Sequence, residues 1–213
     1  MTTARPGRVL ISEPELRTRI AELGRQIGHD YAGETPVLVG VLQGAFLFMA
    51  DLVRAIPGDI TTDFIGLASY GAGNRSSGQV RIVSDLAMPV ENRHVVVVED
   101  IVDTGLSLSY LLRNLATRDP ASLRVCTLVD KRVLRIAELP VDYVGFETRE
   151  FLIGYGLDLA GRYRNLPYLM AVSDPARLAA SPDALIDDLY AEKPTISSNS
   201  LPGDVDAHSP RIH

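Results

Sequence analysis

Four consecutive valines, Val95 to Val98, constrain the fold of this chain more than any other feature. A β-branched run without polar alternation suits a strand buried on both faces. Such strands belong to parallel sheets with helices packed on each side. Further strands are expected at 36–41, 63–70, 123–129 and 142–146, with the valine run inside one at 94–99. Helices are expected at 10–28, 45–56 and 108–118. Strands alternating with helices imply an α/β fold with right-handed crossovers.

The chain has 213 residues, enough to bury about 70% of its unfolded surface without a disulfide or metal. No apolar run reaches the roughly 18 residues of a membrane-spanning helix. Residues 1–16 lack the apolar stretch of a secretory signal, so none is expected. A net charge of −6 argues against a non-specific nucleic-acid or membrane-surface binder, since both need a basic face. A small anion remains possible, because a nest of backbone N–H groups holds phosphate whatever the global charge. Cys126 is the lone cysteine and lies among Val125, Leu128 and Val129. It reads as a buried strand residue, and a cytoplasmic location is expected. Of 21 basic residues only Lys131 and Lys193 are lysines. A lysine in the body of an arginine-favouring chain raises the question of what an ammonium does there.

The composition changes near Asp174. Residues 1–174 read as one domain, and 175–213 as an extension with three basic and six acidic side chains. Ser181-Pro182-Asp183 is a helix-start signal, and Leu185, Ile186, Leu189 and Tyr190 share one helical face, so a short helix is expected at about 182–192. Residues 194–213 read as disordered.

The chemistry concentrates after the valine run. The strand leads into Glu99 and Asp100, then Asp103, then Thr104-Gly105-Leu106-Ser107 opening a helix. Ligands of open α/β sheets bind beyond the carboxyl ends of the strands. A helix start offers N–H groups and a positive dipole end to phosphate, and Thr104 and Ser107 add hydroxyls. Carboxylates repel phosphate but bind sugar hydroxyls and Mg²⁺. Together these point to a ribose 5-phosphate site. The bland alternative has Asp103 capping the helix and the other two acids merely solvated, but three acids in five positions are costly to place without partners. Lys131 alone reads as a surface lysine at a strand end, Phe151 alone as core and Arg164 alone as a surface arginine.

Glu99-Asp-Ile-Val-Asp-Thr-Gly105 resembles the phosphoribosyl-diphosphate motif of type I phosphoribosyltransferases, more narrowly of the hypoxanthine-guanine enzymes. Other segments resemble the same family in order. They are Gly40 to Asp51, Ser69-Tyr70-Gly71, Leu128-Val-Asp-Lys-Arg132, Val144 to Glu147, Phe151 to Asp158, and Arg162-Tyr-Arg164. The resemblance implies a mostly parallel twisted sheet flanked by helices, with a small hood from about 1–12 and 147–174. It implies Mg²⁺-dependent transfer of a phosphoribosyl group to a 6-oxopurine, giving IMP or GMP, and a homodimer or homotetramer.

The same resemblance assigns roles. Asp103 would be the acid/base group facing purine N7. Glu99 and Asp100 would hold the ribose hydroxyls. Asp103, Thr104, Gly105, Leu106 and Ser107 would wrap the 5′-phosphate. Lys131 would donate to the purine O6, Phe151 would stack on the ring, and the Leu152 backbone would meet the base edge. Gln43, Gly44 and Arg164 would bind pyrophosphate. Asp158, with Glu99 and Asp100, would serve Mg²⁺. Ser69 and Tyr70 would begin a lid that excludes water. Two positions depart from the family pattern: Gln43 replaces a lysine or arginine, and Leu106 replaces a more polar residue. Looser phosphoribosyl diphosphate binding is the expectation from Gln43. A regulatory relative that binds without catalysis would need a basic patch or lost catalytic residues; the chain is acidic and keeps Asp103, Lys131, Phe151 and Asp158.

Overall fold

The computed structural model describes residues 7–69 and 80–185. Its chain order begins β1 (Gly7–Ile11), α1 (Glu13–Asp30), β2 (Val37–Leu42), α2 (Phe46–Ala55), β3 (Thr61–Ser69) and β4 (Val80–Ser84). There follow β5 (His94–Val102), α3 (Leu106–Ala116), β6 (Ser122–Asp130), β7 (Tyr143–Glu147), β8 (Phe151–Ile153), β9 (Leu169–Val172) and α4 (Pro175–Ala180). The main sheet has the order β4-β3-β2-β5-β6-β7 and is parallel except for β4 at its edge.

The valine run does what its composition demands. Val95 and Val97 face one layer with Leu108, Leu111 and Leu115 of α3. Val96 and Val98 face the opposite layer with Leu16, Leu23 and Ile27 of α1 and Phe48 and Leu52 of α2. All four valines are fully buried, and each such burial contributes about 1.5–3 kcal/mol. Parallel pairing with β2 and β6 on either side makes β5 central.

The helix expected from residue 10 begins instead at Glu13. Its start is a capping box, with the Glu15 carboxylate accepting from the Ser12 backbone N–H at 2.8 Å and the Ser12 hydroxyl at 2.6 Å. The residues before it form β1, whose antiparallel partner is β9, register Gly7↔Val172. β9 also pairs with β8, which completes a separate three-stranded sheet. This sheet packs through Ile153, Tyr163, Leu166, Met170 and Val172.

The packing of that sheet continues past Asp174. Asp174 caps α4 by accepting from the Arg177 N–H at 2.9 Å. Leu178 of α4 and Leu185 of the 3-10 turn Pro182–Leu185 are buried in the same cluster. The sequence reading assigned no helix at α4. The helix expected at about 182–192 is a 3-10 turn as far as Leu185, and its remainder lies outside the described residues.

Candidate active site

The acids were expected at a strand end, but β5 runs on to Val102. Glu99 therefore lies within the strand, opposite Thr127 of β6, and is buried. Burial, with the Asp100 charge beside it, holds the Glu99 carboxyl well above the usual range. Burial likewise lifts Asp100 from 3.8 to about 6, opposed by hydrogen bonds from backbone N–H groups and by the Arg164 charge, while Asp158 pushes it further up. One of those bonds is from the Ile101 N–H, at 2.8 Å. A buried carboxylate with few protein partners suits a position that meets polar ligand groups.

The loop after β2 rests directly on this carboxylate. A Cβ built on Gly44 would lie 1.5 Å from Asp100 Oδ2, so only glycine allows the approach. The Leu42–Gln43 peptide preceding it is cis. From the other side, the Gly44 carbonyl meets Gly156, where a Cβ would sit 2.1 Å away. Gly156 has φ +97° and bonds Arg164 twice: its N–H to the Arg164 carbonyl at 2.9 Å, and its carbonyl from Arg164 Nη1 at 2.6 Å. Arg164 Nη2 pairs with Asp158 Oδ1 at 2.8 Å. The expected pyrophosphate residues Gln43, Gly44 and Arg164 are thus gathered with Asp100 and Asp158 on one side of the strand ends.

A second pair forms on the other side. β6 ends at Asp130, and the next residue, Lys131, donates its N–H to the Val102 carbonyl at 2.8 Å. The Lys131 side chain is 7% exposed, and its Nζ lies 3.2 Å from Asp103 Oδ2, whose side chain is 50% exposed. Phe151, at the start of β8, holds its ring centroid 5.9 Å from Nζ. Leu152 is buried and pairs through its backbone with Ala171.

Between the two pairs lies the turn into α3. Its cap is Gly105, at φ +79°, and not Asp103. The Thr104 hydroxyl accepts from the Leu106 N–H at 3.5 Å. Leu106 opens α3 with its side chain exposed, as fits a residue whose backbone N–H is the useful group. Ser107 follows in the first turn of the helix. Ser69 ends β3, and Tyr70 lies outside the described residues. Among the described residues no group of three His, Cys, Asp or Glu side chains is arranged to hold a metal ion.

Neither Gly156 of the site nor Arg135 beside it was singled out from the sequence. Arg135 forks onto the buried Asp130, Nε to Oδ1 at 3.0 Å and Nη2 to Oδ2 at 2.5 Å. The repeated glycines around Tyr155, at 154 and 156, were a signal for the first; nothing local marked the second.

Comparison with known proteins places this arrangement. Residues 10–159 match the phosphoribosyl transferase domain. The hypoxanthine-guanine phosphoribosyltransferase of Mycobacterium avium is 48% identical over 168 residues, covering 76% of this chain and 83% of that protein. That of Bacillus subtilis is 45% identical over 163 residues, covering 76% and 91%. The bifunctional protein TilS/HprT of Listeria monocytogenes is 49% identical over 163 residues, but the chain spans only 25% of its length. A solved Staphylococcus aureus hypoxanthine phosphoribosyltransferase superposes with TM-score 0.76 at 38% identity, over 82% of this chain and 97% of that one. A Bacillus anthracis hypoxanthine-guanine phosphoribosyltransferase gives 0.74 at 43%, over 78% and 98%. The chain belongs to the phosphoribosyltransferase family, in its hypoxanthine-guanine branch.

Proposed function

We propose that the chain transfers the 5-phosphoribosyl group from phosphoribosyl diphosphate to N9 of hypoxanthine or guanine, yielding IMP or GMP and pyrophosphate in purine salvage. The carrying observation is the Lys131–Asp103 pair, a donor and an acceptor 3.2 Å apart. A 6-oxopurine presents O6 as acceptor beside a protonated N7. Lys131 donates to O6, and Asp103 accepts from N7. A 6-amino purine turns a donor toward Lys131 and leaves its ammonium unpaired, which such sites reject strongly.

In the reaction N9 bonds to C1′ as the C1′–O bond to pyrophosphate breaks. The N7 proton passes to the Asp103 carboxylate, and the bond electrons leave with pyrophosphate. Phe151 covers the purine face, and the Leu152 backbone meets its edge. Glu99 and Asp100 accept from the ribose hydroxyls. The N–H groups of 104–107 hold the 5′-phosphate. The Arg164 fork and the backbone of Gln43–Gly44 hold pyrophosphate.

The donor set fits Mg²⁺ and not a metal held by protein alone. Mg²⁺ keeps waters and substrate phosphates and takes one or two carboxylates, so the lack of a three-residue cluster among the described residues is compatible with it. Asp158 would hold it directly, with Glu99 and Asp100 beyond the ribose hydroxyls. When bound it neutralises charge on the leaving group.

A homodimer or homotetramer is part of this reading, as the family resemblance implies. The buried, unpaired thiol of Cys126 is compatible with the cytoplasm. No nucleic-acid or membrane partner is part of this reading.

The test mixes purified protein, Mg²⁺ and phosphoribosyl diphosphate with hypoxanthine, guanine, xanthine or adenine in turn, and separates the products by chromatography. IMP and GMP without AMP are expected. XMP as the main product would move the base preference to xanthine. Phosphoribosyl diphosphate binding with no nucleotide from any base would overturn the enzyme reading in favour of a regulatory binder.

A further inference from the structure

Arg135 has no place in the site described so far, yet it is tied down on three sides. Its fork takes both oxygens of Asp130, and Nη1 donates to the Leu139 carbonyl at 3.1 Å. The Asp130 side chain is 3% exposed, so the carboxylate depends on this partner. The fork closes residues 130–139 into a loop. Val133, Leu134 and Ile136 on that loop are exposed, so apolar burial does little to hold it.

The loop's inner edge meets the proposed 5′-phosphate turn. The N–H groups of Ile136 and Ala137 both donate to the Thr104 carbonyl, at 2.9 and 3.2 Å. Leu139 lies against Gly105, 2.8 Å from where a Cβ would be. In a trans peptide the C=O and the following N–H point to opposite sides of the chain. Fastening the Thr104 carbonyl therefore turns the Gly105 N–H away from the loop. Lys131 is fixed mainly from elsewhere: its N–H donates to the Val102 carbonyl and its ammonium to Asp103, and it meets the loop only through its carbonyl, which accepts from the Leu134 N–H at 2.7 Å.

We propose that Arg135 is a positioning residue for the 5′-phosphate turn, acting through residues 136–139 and not through the purine donor. This rests on the phosphoribosyl-transfer reading. The test compares IMP with inosine, the same nucleoside without its phosphate, by calorimetry on wild type, Arg135→Met and Arg135→Lys. KM values for both substrates and the thermal midpoint are measured alongside.

In Arg135→Met, IMP affinity is expected to fall about 2- to 30-fold, a range typical of coupling through a packed network, with inosine affinity unchanged. KM for phosphoribosyl diphosphate should rise while KM for hypoxanthine holds. Lysine keeps a cation beside Asp130 but has no fork to reach Leu139 as well. Arg135→Lys should therefore keep the thermal midpoint and still lose IMP selectively, which separates positioning from folding. Equal losses for IMP and inosine, no loss for either, or a wild-type ratio in Arg135→Lys would overturn the proposal. Wild type that binds neither ligand would instead overturn the functional reading beneath it.

Discussion

Asp100→Asn should stabilise the ligand-free protein at neutral pH while abolishing tight phosphoribosyl diphosphate binding. Folding lifts the Asp100 carboxyl from 3.8 to about 6 because the group, though part-exposed at its edge, loses much of its water. The folded protein therefore keeps this proton to a higher pH than the unfolded chain does. Between about pH 4 and 6 the native state carries more protons, so its stability falls as pH rises through that window. Above it both states are ionised, and the buried charge costs about 3 kcal/mol, the free-energy equivalent of the shift. Glu99, also pushed up and coupled to Asp100, contributes in the same direction. An asparagine keeps the shape and the acceptor for the Ile101 N–H, without the charge. Urea unfolding of both proteins from pH 4 to 8 measures the difference. It should be near zero at pH 4 and reach about 3 kcal/mol in favour of the variant by pH 7.5. A pH-independent difference, or a variant less stable at pH 7.5, would refute the reasoning.

Other substitutions probe the rest of the site. Lys131→Met removes a charged donor worth about 1.5–3 kcal/mol, so kcat/KM for hypoxanthine should fall about 10- to 150-fold and its advantage over adenine should shrink in steady-state assays. Asp103→Asn should lower kcat about 10²- to 10⁴-fold with little change in melting temperature, because the half-exposed asparagine keeps an amide oxygen that accepts from the buried Lys131 ammonium. Gly44→Ala drives a methyl into Asp100; overpacking of this kind costs about 1–3 kcal/mol, and in denaturant titrations the double variant with Asp100→Ala should recover most of it. Leu185→Ala, in the buried cluster, should destabilise by about 2 kcal/mol, whereas Asp183→Asn, which breaks an exposed pair with Arg162, should stay within about 0.5 kcal/mol by the same titration.

How far the sequence could be read follows from which contacts were local. The parallel core was legible because Val95 to Val98 carry both faces of β5 in a single run. The second sheet was legible only through the family resemblance, as a hood from about 1–12 and 147–174, because Gly7 pairs with Val172, 165 residues away, and no local period marks either strand. β4 escaped notice because it is an edge strand with little burial, and Val83 points to solvent. The acids ending β5 were read as terminators because carboxylates are depleted in strands; here the strand continues and buries Glu99 instead. Lys131 stood out only against a background of arginines and a family resemblance. Arg135 did not stand out at all, because its partner Asp130 is buried by a sheet formed from distant segments.

In the ligand-free site the groups proposed to meet substrate are paired with one another. Lys131 holds Asp103, and Arg164 holds Asp158. These internal pairs keep cations and carboxylates from standing unsatisfied where water has limited access. The partners differ in what they lose on separation. Asp103, half exposed, is rehydrated when the pair opens, but the ammonium of Lys131, 7% exposed, is not. An incoming base must therefore replace the bond that Lys131 gives up, or the site is left with a buried charge lacking a partner. That penalty is about 1–3 kcal/mol for a neutral group and larger for a charged one. In the proposed reaction, discrimination against 6-amino purines would follow more from this loss than from any attraction specific to the 6-oxo group. The same logic would account for a lysine as the proposed donor: a compact ammonium can release Asp103 for O6, whereas a guanidinium fork would keep one arm on the carboxylate.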